Sequence, residues 1–523
     1  MMAREAVIAE LARIDQKDAG APRKKVAVLG AGMAGLAAAY ELSRLGHSVQ
    51  LIEATGRIGG RVVTKRFDNG DHHELGAMRI PKVHHHTRHY IDKFGLKLRR
   101  FVNHHQQPRS FYAFRGERAT HTDYGRTLLP KFAISDREMG ILKGGENPAV
   151  ALLSVFAHGI ELVKSDTRHI DALFGRGPMT DVVARLDSQT LGDYLREHLD
   201  TEEAVVLAGV ASGLEVWMDK AASMFIREEI ALEDNEGHFD EIVGGMDRLP
   251  RAFGDALAKR TNVTLQLETW VRAIHSQRHS VQLVLASRGG TTTQRVDADY
   301  VICTIPFGVL RGIELSGLSS GKMRAIRNLH YASSSKVLFS CKRRFWETDY
   351  GIFGGGSQTD LISRQIYYPS DSGPSTTTVA EGSLAGLHTS FALDVAQPPS
   401  APERSGALVG SYAWGADARR LGALCKEERA RIVRACVAEI HPEILEDGMV
   451  LDDASVFWDE EDSAAGAFCF LRPGDLQHHY RDAIRPEGRC YFAGEHCSMD
   501  QAWIQGALSS ALSAVGAIVE QRT

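Results

Sequence analysis

The residues best placed to do chemistry are glycines set beside charge. Gly30-x-Gly32-x-x-Gly35 follows a short apolar run, and Glu53 lies 18 residues after Gly35. In such a spacing the first glycine permits a tight turn and the second lets backbone approach a pyrophosphate. The third allows close helix–strand packing, and the helix N-terminus adds partial positive charge. Glu53 can accept hydrogen bonds from ribose hydroxyls. A second group, Gly56-Arg57-Ile58-Gly59-Gly60-Arg61, puts two arginines beside another glycine pair. That suits a long dinucleotide whose phosphates need a second cradle, so FAD is expected rather than a nicotinamide cofactor.

The elements around these motifs follow from hydrophobic pattern. Val26–Leu29 reads as a buried parallel strand, Leu36–Leu45 as a helix ended by Gly46, and His47–Glu53 as the strand closing a βαβ unit. From about Leu128 to Glu229 the pattern is helical, for example over Pro148–Val163 and Leu191–Leu214. Strand signals return at Val263–Leu267, Val281–Ala286, Tyr300–Thr304 and Ser335–Lys342. Ser370–Arg404, rich in Ser, Thr, Pro and Gly, reads as a long surface loop, either a lid or a disordered insertion. Cys490–Ala493 is a short strand leading through Gly494 into a helix over Ala502–Glu520. Strand–Gly–helix at both ends predicts one nucleotide domain assembled from distant pieces.

Composition narrows the class. The 523 residues hold 61 Lys+Arg against 66 Asp+Glu, a net charge of −5, and 43% are hydrophobic, enough for a large core. This balance argues against binding nucleic acid or a membrane through a basic patch. Seven scattered cysteines without CxxC spacing fit a reducing cytoplasm. The first 18 residues read as an amphipathic helix with no secretion signal, and the longest apolar run, Val26–Tyr40, is too short to span a bilayer. The histidines His72-His73, His84-His85-His86, His89 and His104-His105 lack regular ligand spacing, so no metal is expected.

Further blocks carry a family resemblance: Glu74-Leu75-Gly76-Ala77-Met78-Arg79-Ile80-Pro81, Phe239–Asp247 (FDEIVGGMD), Phe345-Trp346, Ile366-Tyr367-Tyr368-Pro369 and Tyr491–His496 (YFAGEH). With the GRIGGR segment, from Lys24 onward the chain resembles the flavin monoamine oxidase family, and within it the L-amino acid oxidases. The resemblance implies an α/β, Rossmann-like FAD-binding fold built from discontinuous segments, with an α+β substrate domain and a helical insertion. The expected boundaries are 24–62, 240–322 and 484–523 for the FAD domain. Residues 3–20, 63–127 and 323–483 form the substrate domain, and 128–239 the helical one.

The resemblance also implies roles. Non-covalent FAD would contact Gly30, Gly32, Met33, Ala34, Gly35, Glu53, Ala54, Gly60, Arg61, Gly76, Ala77, Met78, Arg79, Val271, Trp458, Gly494, Glu495, Trp503 and Ile504. Lys336 matches the catalytic lysine that holds a water near the flavin. Arg79 matches the arginine that clamps the substrate α-carboxylate, with Tyr368 bonding the same group. Ala502, Trp503, Trp217 and Glu229 complete the expected substrate contacts, and Glu228 and Asp500 are further pocket candidates. Two departures stand out. Arg227-Glu228-Glu229 occupies the stretch where venom-type members carry a histidine base, and Ala332 replaces a second arginine. Glu229 or solvent would then take the substrate proton.

These residues imply oxidation of L-amino acids by dioxygen to 2-oxo acids, ammonium and hydrogen peroxide, in a cytoplasmic homodimer. An amino-acid 2-monooxygenase giving an amide stays open. So do an amine oxidase, which would have no use for Arg79, and a non-catalytic flavoprotein. Side-chain specificity is open as well.

Overall fold

A computed structural model describes residues 2–102, 109–143, 148–213, 215–235, 238–290, 292–372 and 404–521. The expected loop at Ser370–Arg404 and the pair His104-His105 therefore fall wholly or largely outside the described residues.

The nucleotide-type sheet has five parallel strands, in the order Val263–Gln266, Ser48–Ile52, Lys25–Leu29, Tyr300–Cys303, Cys490–Phe492. Its central strand is buried over Val26–Leu29, which explains an unbroken apolar run in place of alternation. The helix Met33–Arg44 starts three residues after that strand and is buried from Met33 to Ser43. The terminal helix Ile504–Val519 packs along it, joining the two ends of the chain in one core. Gly35 makes the first packing possible, because a Cβ there would sit 1.8 Å from the Gly30 carbonyl oxygen. An antiparallel sheet of Thr269–Ser276, Val281–Ser287 and Thr293–Ala298, with Glu314–Ser316 at its edge, flanks this layer.

A second, mixed sheet of seven strands runs Val450–Phe457, Ser334–Cys341, Gly406–Trp414, Gln365–Tyr367, Gly356–Thr359, Phe111–Phe114, Glu117–Thr120. The strand Ser334–Cys341 is buried at every position, which is how a lysine comes to lie inside the protein. The fold is thus α/β, with a Rossmann-like sheet drawn from three separated stretches of sequence.

The helical expectation holds in kind but not in continuity. Pro148–Val163 divides into Pro148–Leu153, a tight turn at Ser154–Phe156, and Ala157–Lys164. Leu191–Leu214 divides into Leu191–His198 and Glu202–Ser212, with Leu214 itself outside the described residues. Thr201 causes the second break: its hydroxyl accepts from the Ala204 N–H and starts a new helix, which Gly213 ends in the left-handed region. At the N-terminus, Met2–Asp18 is helical and buries Val7 and Ile14. Among the described residues no helix is long and apolar enough to cross a membrane.

Replacing Gly35 by Ala should push the helix start off the turn and cost about 2 kcal/mol or more. A denaturation midpoint equal to that of the unaltered protein would show that the close approach is not needed.

Candidate active site

One elongated cavity of about 280 Å³ runs from the carboxyl ends of the parallel strands to the seven-stranded sheet. At its first end Gly30 turns with φ 100°, and the helix from Met33 begins at Gly32 without a side-chain cap. Its first N–H groups therefore point at the cavity with their dipole unspent, as an anion site requires. Gly59 and Gly60 lie against this turn: Gly32 and Gly59 are bridged, and a Cβ on Gly60 would come within 3.2 Å of the Gly32 Cα. Glu53 closes the end of its strand. Its carboxylate accepts from the Ala31 N–H (2.7 Å), the Thr55 N–H (2.9 Å) and the Thr55 hydroxyl (2.8 Å). Ala54 and Val271 line the same end.

The middle is organised by Arg61. It donates to Glu495 (2.9 Å) and to the Ala467 carbonyl (2.8 Å). Glu495 also accepts from the Ala502 and Cys469 N–H groups at 3.0 and 3.2 Å. Ala502 is held at φ 69°, unusual for a residue with a side chain, so this carboxylate helps fix a strained turn just before Trp503. Gly76 lets the following segment lie on Arg61, since a Cβ there would be 1.9 Å from the Arg61 carbonyl oxygen.

That segment delivers Ala77, Met78 and Arg79 to the cavity, where Lys336 meets them. The Lys336 ammonium donates to the carbonyls of Gly76 (2.7 Å) and Glu74 (3.1 Å) and sits 4.5 Å from the centre of the Tyr412 ring. Burial lowers its pKa to about 7, against the pull of Glu74 and helped by the positive charge of Arg79. Burial likewise raises the Glu74 carboxyl to about 7. Arg79 faces the cavity with its guanidinium 5.4 Å from the Phe239 ring centre. Trp458, Trp503, Ile504 and Gly494 complete the wall.

Four expected residues are placed elsewhere. Tyr368 is buried in the core of the seven-stranded sheet, its hydroxyl 2.7 Å from both Ser357 Oγ and His441 Nε2, so it does not reach the cavity. Tyr412, from the strand Gly406–Trp414, supplies the cavity's tyrosine instead; burial raises its pKa to about 12 and keeps it protonated. Glu229 lies off the cavity, while its neighbour Glu228 lines it. Gly35 packs beneath the turn and does not line the cavity. Asp500 borders a smaller neighbouring pocket behind Trp503.

Tyr412, Trp414 and Phe468 line the cavity without belonging to any motif, and Lys220 supports Glu228 from behind it. The first two are i, i+2 neighbours on one strand, a spacing that puts both on one face, and this was their only signal. Among the described residues no group of His, Cys, Asp and Glu is placed to hold a metal ion. His84 packs edge-on against Trp503, and His86 bonds Glu10 and Gln505.

The uncapped helix start, the glycine cradle and the carboxylate at the strand end fit FAD. The buried lysine makes a separate expectation. Between about pH 7, its folded pKa, and its ordinary 10.5, the unfolded chain holds the extra proton. Stability from this group therefore rises with pH across that window and is lowest below it. From pH 8 to 10, where Glu74 is ionised, the protein should gain on a Lys336→Met variant by up to about 1.4 kcal/mol per pH unit. Parallel denaturation curves at each pH would contradict a buried, depressed lysine.

Comparisons with known proteins give the family. The family model described as flavin containing amine oxidoreductase matches residues 33–519. The chain is similar to the flavin-dependent L-tryptophan oxidase RebO of Lentzea aerocolonigenes, 35% identical over 95% of this chain and 98% of that one. It is 31% identical to an L-amino-acid oxidase of Siganus canaliculatus, over 95% and 85% of the two chains. A solved putrescine oxidase shares the fold, with a TM-score of 0.70 at 20% identity over 96% of this chain and all of the other. A cradle of this construction and a family match over nearly the whole length lead to one conclusion: the chain belongs to the flavin-containing amine oxidoreductases.

Proposed function

We propose that the protein catalyses FAD-dependent oxidative deamination of L-amino acids, giving 2-oxo acids, ammonium and hydrogen peroxide. The observation that carries this reading is a guanidinium, Arg79, in the cavity beside Tyr412 and Lys336. A guanidinium lining the cavity takes a carboxylate in a two-point clamp, a group that amino acids have and plain amines lack. The named activities of the two relatives above support the same substrate class.

When bound, FAD supplies the hydride acceptor and the route of electrons to dioxygen. Gly30, Gly32, Met33, Ala34, Gly60 and Arg61 would hold its phosphates, and Glu53 a ribose. The chain's own contribution is orientation. Arg79 fixes the carboxylate of the substrate, and the protonated Tyr412 hydroxyl is positioned to donate to the same group. Burial lowers the Lys336 pKa to about 7, so its charge at Nζ changes near neutral pH. Glu228 is a carboxylate of the cavity, but the ammonium of Lys220, 2.8 Å away, counters the effect of burial and holds it below the usual carboxylate range. It is thus a poor base, and the substrate ammonium gives its proton to solvent as it enters. The separate, unpaired cysteines support a cytoplasmic setting, and a homodimer is the assembly we propose.

Removal of Arg79 to Ala should lower kcat/KM for amino acids about 100-fold or more, the worth of a charge-assisted clamp. Tyr412→Phe should raise KM about tenfold, while Tyr368→Phe leaves it within about twofold. The opposite order would return the clamp to Tyr368. Product analysis decides the reaction itself: 2-oxo acid with stoichiometric peroxide supports oxidation, whereas an amide with little peroxide would establish the monooxygenase.

A further inference from the structure

Trp503 stands in a wall with space on both sides. It lines the main cavity and also a second pocket of about 70 Å³, shared with His84, Arg227, Asp500 and Gln501. Packing alone therefore does not fix its ring, and the residue before it, Ala502, already holds a strained backbone at φ 69°. The segment Met499–Trp503 needs a hold from outside itself.

The helical insertion supplies one. Arg227, on the helix Ala222–Ala231, is buried and reaches across to this segment. Its guanidinium donates to the Met499 sulfur at 3.1 Å and to the Gln501 side-chain oxygen. Among the described residues no carboxylate bonds it directly; Asp500, Glu228 and Asp187 favour its charge from further away. Glu228, the next residue, accepts from the Trp503 indole N–H and from the Lys220 ammonium. Met499 in turn enters the insertion. Gly175 turns there with φ 67°, and a Cβ on it would lie 2.5 Å from the Met499 methyl. Two elements of the insertion thus grip one loop, at Met499, Gln501 and Trp503.

A buried guanidinium is a costly way to fill this space. An apolar side chain of similar volume would carry no charge to desolvate and would stabilise the fold at least as well. What the planar fork adds is direction, since it fixes two neighbouring side chains at once. We infer that Arg227 is a positioning residue for the flavin site: from the helical insertion, with Glu228 beside it, it holds Met499–Trp503 and so sets where the Trp503 ring lies. This role belongs to the cofactor side and holds whatever the substrate.

The test reads FAD and not turnover. In the FAD-loaded protein, FAD released on dilution gives its Kd through flavin fluorescence, and visible circular dichroism reports the surroundings of the flavin ring. Arg227→Met should raise the Kd for FAD roughly tenfold and alter the visible band. Arg227→Lys, which keeps the charge but not the fork, should fall between that variant and the unaltered protein. The deciding comparison is a cycle with Trp503→Ala. Because Arg227 acts through Trp503, Arg227→Met should cost less than about twofold once the indole is gone. Gln501→Leu breaks the same bond from the loop side, and it replaces Arg227→Met in the cycle if that variant does not fold. An unchanged Kd and an unchanged visible band in these variants would overturn the inference. So would losses that simply multiply in the cycle, the mark of a general structural role. Every arm is read without an amino acid, so either result leaves the oxidase reading as it stands.

Discussion

Backbone packed directly on backbone is the constraint from which the rest of this structure follows. Gly35 sits against the Gly30 carbonyl, Gly60 against Gly32, and Gly76 against the carbonyl of Arg61, each with no room for a side chain. The first contact sets the helix on the turn, and the second brings the GRIGGR segment alongside it. The third lays the segment ending in Arg79 over Arg61. A methyl group at Gly35 or Gly76 would thus displace a whole element and not merely crowd a neighbour.

On this stack the protein joins two sheets of different origin. Lys336 comes from the seven-stranded sheet, yet its ammonium is bound by carbonyls of the Glu74–Gly76 segment, which belongs to the cradle side. The bond is made in a buried setting that disfavours the charge, so the lysine is held near neutrality at the seam. Arg61 with Glu495 does the corresponding work between the early and the last parts of the chain. Two buried polar links, each spanning hundreds of residues of sequence, define the shape of the cavity.

Much of this could be read in the sequence, because glycine spacing and a strand–turn–helix context are local signals. The cradle at Gly30–Gly35, the pair Gly59-Gly60, the acidic Glu53 and the Glu74–Pro81 block are all of that kind. Tyr368 shows where such reading stops. Tyr367 ends its strand and Tyr368 follows it, and motif position alone does not say that the Tyr368 hydroxyl is taken by Ser357 and His441. Tyr412 carried no motif, and only the pairing of its strand with Ser334–Cys341 brings it to Lys336. Glu228 and Glu229 differ by one helical step of about 100°, enough to put one carboxylate in the cavity and leave its neighbour outside it. The helix breaks near Ser154 and Thr201 interrupt apolar patterns that look continuous: at Thr201 a capping hydroxyl outweighs periodicity, and at Ser154 the hydroxyl donates back to the Ala151 carbonyl where the helix tightens.

The order of the strands in the parallel sheet has a consequence for synthesis. The Cys490–Phe492 strand completes the sheet, and Glu495 and the helix Ile504–Val519 follow it. A ribosome therefore makes the first glycines of the cradle more than 400 residues before Glu495. The early βαβ unit, with its apolar helix face awaiting Ile504–Val519, stays unfinished while the helical and seven-stranded parts emerge.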